Sequence, residues 1–148
     1  MRGVVPMLLS AWLGATVLFG AVVAPAAFRV LPSRTLAGSL VGAVLPVLFW
    51  AGAGIGALAF LALRQREARR WALGAALLLA ATSLGAELVV GRAIGRLRSA
   101  IGPDLEAVPP SDPRRMAFGR LHGVSVLLLG AGMLSAAALL VHEGRRDR

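Results

Sequence analysis

Four long stretches of this chain are almost free of charge, and the arginines are bunched between them. A helix needs about 20 consecutive, mostly apolar residues to cross the ~30 Å hydrocarbon core of a bilayer. The stretches at about 4–28, 36–63, 71–101 and 113–142 meet that requirement. Hydrophobic residues make up 57% of the 148 positions, and mean hydropathy is +0.77. That is more apolar surface than a small soluble core could hide. The expected fold is therefore all-α: one integral membrane four-helix bundle filling residues 1–148.

The net charge of +9 would also suit a nucleic-acid binder, but a DNA-binding stripe would lie along a soluble amphipathic helix. Basic clusters flanking apolar runs are a membrane pattern, so the lipid bilayer is the expected partner and nucleic acid is not. Cysteine is absent, which removes disulfides, thiolate metal sites and a cysteine nucleophile. Asparagine is absent too, so the chain holds no N-glycosylation acceptor. All sixteen basic residues are arginine. With the Ala and Gly content, this suggests the coding bias of a GC-rich bacterial genome, hence a bacterial cytoplasmic (inner) membrane.

The first stretch carries Trp12 and Phe19. It is about twice as long as a signal-peptide core of 7–15 residues, so it reads as a span that is kept. In the link RVLPSRT, Pro32 stops one helix and Ser33 or Thr35 can cap the next. Pro46 should kink the second span, and RQREARR ends it. Trp71 is a good interface anchor for the third, and Gly102-Pro103 closes it. The segment DLEAVPPS reads as a loop, and Asp112-Pro113 is a strong start for the fourth helix, with Asp as cap and Pro at the first helical position.

The third and fourth helices, at about 31 residues each, would be some 46 Å long, about 15 Å more than the core requires. They are expected to extend beyond the bilayer as a hairpin. The arginines divide evenly between the two sides, eight and eight. The short second loop and tail are the denser clusters, which favours both termini on the cytoplasmic side.

Four Gly-x-x-x-Gly pairs occur, at Gly38/Gly42, Gly52/Gly56, Gly91/Gly95 and Gly119/Gly123. They suit close helix packing within one chain first, and a homo-oligomer face second. Setting helices three and four antiparallel about Ala107 places residue i opposite residue 214 − i. Arg92 then faces His122, and Glu87 stands about five residues in level from it. Ser83, Glu87, Gly91 and Arg98 share one face of helix three, while Gly119, His122 and Ser125 share one face of helix four. Glu87 lies 16 residues past Trp71, about 24 Å, near the far boundary of the core.

A candidate polar cluster results: Glu87, Arg92, Arg120, His122 and Ser125. Its plainer interpretation is a polar collar, with Glu87 paired to Arg92, His122 or an arginine of the first link. The sharper one is a site for a proton, an anion or a head group. His142 lies about 30 Å from His122 along one helix, so the two cannot share a haem or metal within one chain. No metal site and no cofactor are predicted. Catalytic spacings are missing, and the AGAGIG glycines sit within a span with no strand before them.

The motifs W-L-G (Trp12 to Gly14), V-V-A-P-A-A-F (Val22 to Phe28), L-A-G-S-L-V-G (Leu36 to Gly42) and F-G-R-L-H-G-V-S (Phe118 to Ser125) resemble the bacterial family of domain of unknown function 4149. That family is similar to eukaryotic transmembrane protein 205. The resemblance covers nearly the whole chain and implies a four-helix integral membrane protein. Its motifs fall on Ala24, Pro25, Phe28, Gly38, Arg120, Leu121, His122, Gly123 and Ser125, with no role attached. The functional expectation is a non-enzymatic scaffold or accessory subunit of the membrane. The alternative is a small-solute or ion permeation subunit working as an oligomer.

Overall fold

The computed structural model describes residues 3–65, 68–102, 108–109 and 111–146, without the side chain of Arg146. Helix α1 spans Val4–Val30, α2 Arg34–Gln65, α3 Arg70–Ile101 and α4 Pro113–Arg146. All four are long and apolar enough to cross a membrane, and no strand occurs among the described residues. The ends lie within about four residues of those expected. At 32 residues, α2 is as long as α3, so greater length does not single out α3 and α4 as an extended hairpin.

The caps explain several of these ends. Ser33 starts α2: its Oγ accepts the Leu36 N–H at 3.2 Å, and Thr35 has no part in the cap. Asp112 starts α4, its Oδ1 accepting the Arg114 N–H at 2.8 Å. The Arg114 guanidinium also grips the Asp112 carboxylate at 3.1 and 2.8 Å. These bonds hold the carboxyl at about 2, below its ordinary 3.8. Gly102 ends α3 at φ +93, a region that favours glycine. Pro103 and most of the following loop, with Ala107 at its centre, lie outside the described residues.

Neighbouring helices run antiparallel, and α3 packs most extensively, against α2 and α4. The main core joins the start of α1 (Val5, Leu9, Trp12), the end of α2 (Ala59, Ala62, Leu63), the start of α3 (Ala72, Ala76, Leu79) and the end of α4 (Ala136, Leu139). All of these lie at one end of the bundle. Alanine and glycine let the backbones approach there. At Gly56 an added Cβ would come within 2.7 Å of the Ala80 backbone nitrogen.

Trp12 crosses the upper edge of this core. Its indole N–H donates to the Leu48 carbonyl at 2.8 Å, and its ring lies where a Cβ on Gly52 would stand, 2.9 Å away. The far edge of the same ring reaches Gly132 on α4. The hydroxyls of Thr16, Thr82 and Ser135 turn back to carbonyls four residues earlier on their own helices. In that way they remain satisfied without water.

Two helices contain one wide turn each, at Phe19–Val23 in α1 and Ala86–Gly91 in α3. The first has a local cause. Pro25 offers no N–H to the carbonyl four residues back, and the Ala24 N–H bonds Phe19, five back. The sequence reading treats both spans as regular helices. Pro46, expected to kink α2, lies inside a helix that continues through it.

Gly56→Ala is expected to cost about 1–3 kcal/mol, because the new methyl meets backbone that cannot yield. Gly54→Ala, where an added Cβ meets nothing within 4 Å, is expected to be neutral. Reversible unfolding in mixed micelles compares the two. Because the Asp112 carboxyl is lower in the folded state, its contribution is full above about pH 4 and fades as pH falls towards 2. Asp112→Ala should therefore melt below wild type at pH 7, with the difference closing near pH 2.

Candidate functional site

At the end opposite the core, the bundle opens. A cavity of about 820 Å³ lies between the first half of α2, the second half of α3 and the first half of α4, with Phe28 of α1 at its side. That volume suits a small-molecule ligand. The floor is apolar, formed by Val41, Leu45, Phe49 and Ala86. The mouth is at the helix ends, where Arg34, Arg115 and Gly102 stand.

The register expected for the α3–α4 hairpin is found. Arg114 donates to the Ala100 carbonyl at 3.3 Å, and Gly132 meets Thr82. Both pairs sum to 214. That register brings Glu87, His122 and Ser125 to one cavity wall system. Ser125 is buried and His122 exposed. Arg92 and Arg120 are exposed and do not line the cavity. Of the residues singled out by motif, Phe28 and Gly38 line it, while Ala24, Pro25, Leu121 and Gly123 do not. An added Cβ on Gly123 would meet nothing within 4 Å.

The paired collar does not form. Glu87 makes no ion pair or hydrogen bond with any described residue. The reason is geometric. Glu87 sits in the wide turn Ala86–Gly91, folded back toward Gly91, where an added Cβ would lie 3.5 Å from its Oε2. Arg92 leaves that turn on the outer side of the helix.

The arginine brought inside from α3 is Arg98. Its guanidinium lies against the bare faces of Gly38 and Gly42 on α2, 3.0 and 3.4 Å from where their Cβ atoms would be. It also stands over the Phe118 ring, 5.8 Å from the centroid, within range of a cation–π attraction. The Gly38/Gly42 pair thus seats a side chain, whereas Gly52/Gly56 packs helix on helix. Added Cβ atoms at Gly95 and Gly119 would meet nothing.

Sequence reasoning placed Arg98 on the correct face but missed Arg115, Phe118 and Thr35. The Arg115 guanidinium donates to the Val108 carbonyl at 2.6 Å while lining the mouth. The Thr35 hydroxyl is buried, with no hydrogen-bond partner among the described residues. No group of three His, Asp or Glu suited to a metal occurs among the described residues. At the opposite end, His142 packs edge-on against Trp71, with ring centroids 4.9 Å apart.

Since Glu87 loses no ion pair on neutralisation, Glu87→Gln is expected to leave unfolding in mixed micelles within about 0.5 kcal/mol of wild type. A loss above about 1 kcal/mol would reveal a partner for the carboxylate and restore the collar.

Among curated proteins nothing matches this chain, and no solved structure matches it. One family model does match, over residues 7–102: domain of unknown function 4149. The matched part holds three helices, the apolar cavity floor, Glu87 and Arg98, and it stops before His122 and Ser125. With 96 of 148 residues matched, the chain belongs to the domain of unknown function 4149 family.

Proposed function

We propose that this protein is a non-enzymatic, multi-pass accessory protein of the bacterial cytoplasmic membrane that holds a small molecule within its open half. The observation that carries this reading is the 820 Å³ cavity, whose floor is apolar and whose mouth is charged. Sites of this shape, with a few convergent polar groups, are the common form of a ligand pocket.

The tight half favours binding over permeation. Directly beneath the cavity, Trp12, Leu79, Ala136 and Leu139 are packed with exposures of 4% or less. A single chain therefore offers a cup with a floor and no path through. With both termini on the cytoplasmic side, the cup opens toward the opposite face.

Native mass spectrometry of protein purified in mild detergent tests the reading. The wild type is expected to carry a small molecule at near-stoichiometric occupancy. Gly95→Phe, which projects a ring into the cavity from a position with no close neighbour, should lose it. Gly54→Phe, equally uncrowded but outside the cavity, should keep it. Undiminished occupancy in Gly95→Phe would overturn the assignment.

A further inference from the structure

Resting on that reading, the arrangement of unspent donors points further, to the ligand's class. We infer that the cavity takes an amphiphile with a phosphate head group, the head held by Arg98 at the mouth and the tail lying on the apolar floor.

Three observations converge. First, Arg98 makes no hydrogen bond or ion pair with any described residue. A guanidinium carries five N–H donors, and placing it unpaired between helices is costly. Its position is nevertheless fixed, against Gly38 and Gly42 on one side and Phe118 on the other. Arg114 provides the contrast, since its fork is engaged by Asp112 and by the Ala100 carbonyl. A positioned guanidinium with free donors is the group that binds phosphate bidentately.

Second, among the described residues the charged side chains lining the mouth are all cations. Arg34, Arg98 and Arg115 line it, and Arg115 bonds only a neutral carbonyl among the described residues. Glu87, the cavity's carboxylate, stands eleven residues from Arg98 on the same helix, about 16 Å deeper. The buried hydroxyl of Thr35, which has no hydrogen-bond partner among the described residues, adds a further donor between Arg34 and Gly38. Three guanidinium groups suit a phosphate better than a single carboxylate, and the multiple charge favours a phosphomonoester.

Third, the level is that of a lipid head. Arg98 lies three residues from the end of α3, while Val41, Leu45 and Phe49 continue inward from it within the membrane span. A phosphate without a tail would leave that apolar floor uncovered.

The test uses purified full-length protein in a nonionic detergent and three probes: dioctanoyl phosphatidate, dioctanoylglycerol and inorganic phosphate. Binding is followed by microscale thermophoresis. Phosphatidate is expected to bind at least about tenfold more tightly than dioctanoylglycerol, a head-group preference of the size charge-assisted bonds supply. Inorganic phosphate should not compete at the same concentration.

Arg98→Gln should remove the preference, Arg98→Lys should keep part of it, and the exposed Arg92→Gln should leave it intact. Comparison of the three variants in wild-type-like folded form is made by circular dichroism. Should Arg98→Gln not fold, the preference measured on wild type alone decides. Equal binding of the neutral lipid would overturn the head-group assignment while leaving the cavity a binding site, because Gly95→Phe would still abolish it. Competition by phosphate alone would overturn the amphiphile and indicate a free-phosphate site. Binding of no probe would overturn the inference outright.

Discussion

Trp12 fixes the geometry on which the rest of this bundle depends. One ring touches α2 at Leu48 and Gly52 and α4 at Gly132, and it hydrogen-bonds the Leu48 carbonyl. In a bilayer the helices gain little from hydrophobic association, because lipid tails are as apolar as leucine. Packing and interhelical hydrogen bonds must hold them instead. Trp12 supplies both, and it can do so only because Gly52 and Gly132 lack side chains. Toward one end from this ring, alanines draw the four helices together. Toward the other, a smaller cluster of Phe19, Val41 and Leu48 joins α1 to α2, and the helices part around the cavity.

The two ends therefore obey different rules. The closed end is built from alanines packed with leucines and Trp12, and the hydroxyls of Thr16, Thr82 and Ser135 are satisfied within their own helices. The open end holds Glu87, Arg98, Thr35 and His122, groups that want partners and find few or none among the described residues. A membrane protein does not carry such groups cheaply. Their gathering on one cavity, with an apolar floor beneath them, is the physical ground for reading the open end as the working end and the closed end as its support.

Much of this architecture could be read from the residues. Span positions follow from hydropathy, since membrane crossing leaves little choice of length. Ser33 and Asp112 could be identified as caps because capping chemistry is local. The hairpin register followed from treating the Asp104–Ser111 segment as a single turn. The opening of the bundle could not be read, since four Gly-x-x-x-Gly pairs look alike in a sequence. Only the fold shows that Gly52/Gly56 meets backbone, Gly38/Gly42 meets an arginine, and Gly119 and Gly123 meet nothing. The wide turns were equally hidden. Glu87 was expected to pair with Arg92, His122 or an arginine of the first link, but it pairs with none of them, and the turn that contains it sends Arg92 outward.

The wide turn at Ala86–Gly91 has a consequence for chain length. It holds one residue more than an α-helical turn would use, and beyond it Gly91, Ile94, Gly95 and Arg98 keep to the cavity face. The helix beyond it is thus phased as though the chain were one residue shorter. Loss of a single residue within this turn would turn it into ordinary α-helix and leave Arg98 facing inward. The same loss between Ala72 and Leu79 would swing everything after it by about 100° and carry Arg98 to the lipid. Insertions and deletions are tolerable at one place on α3 and ruinous a few turns earlier, so chains built on this plan can differ in length by one residue and still present the same cup.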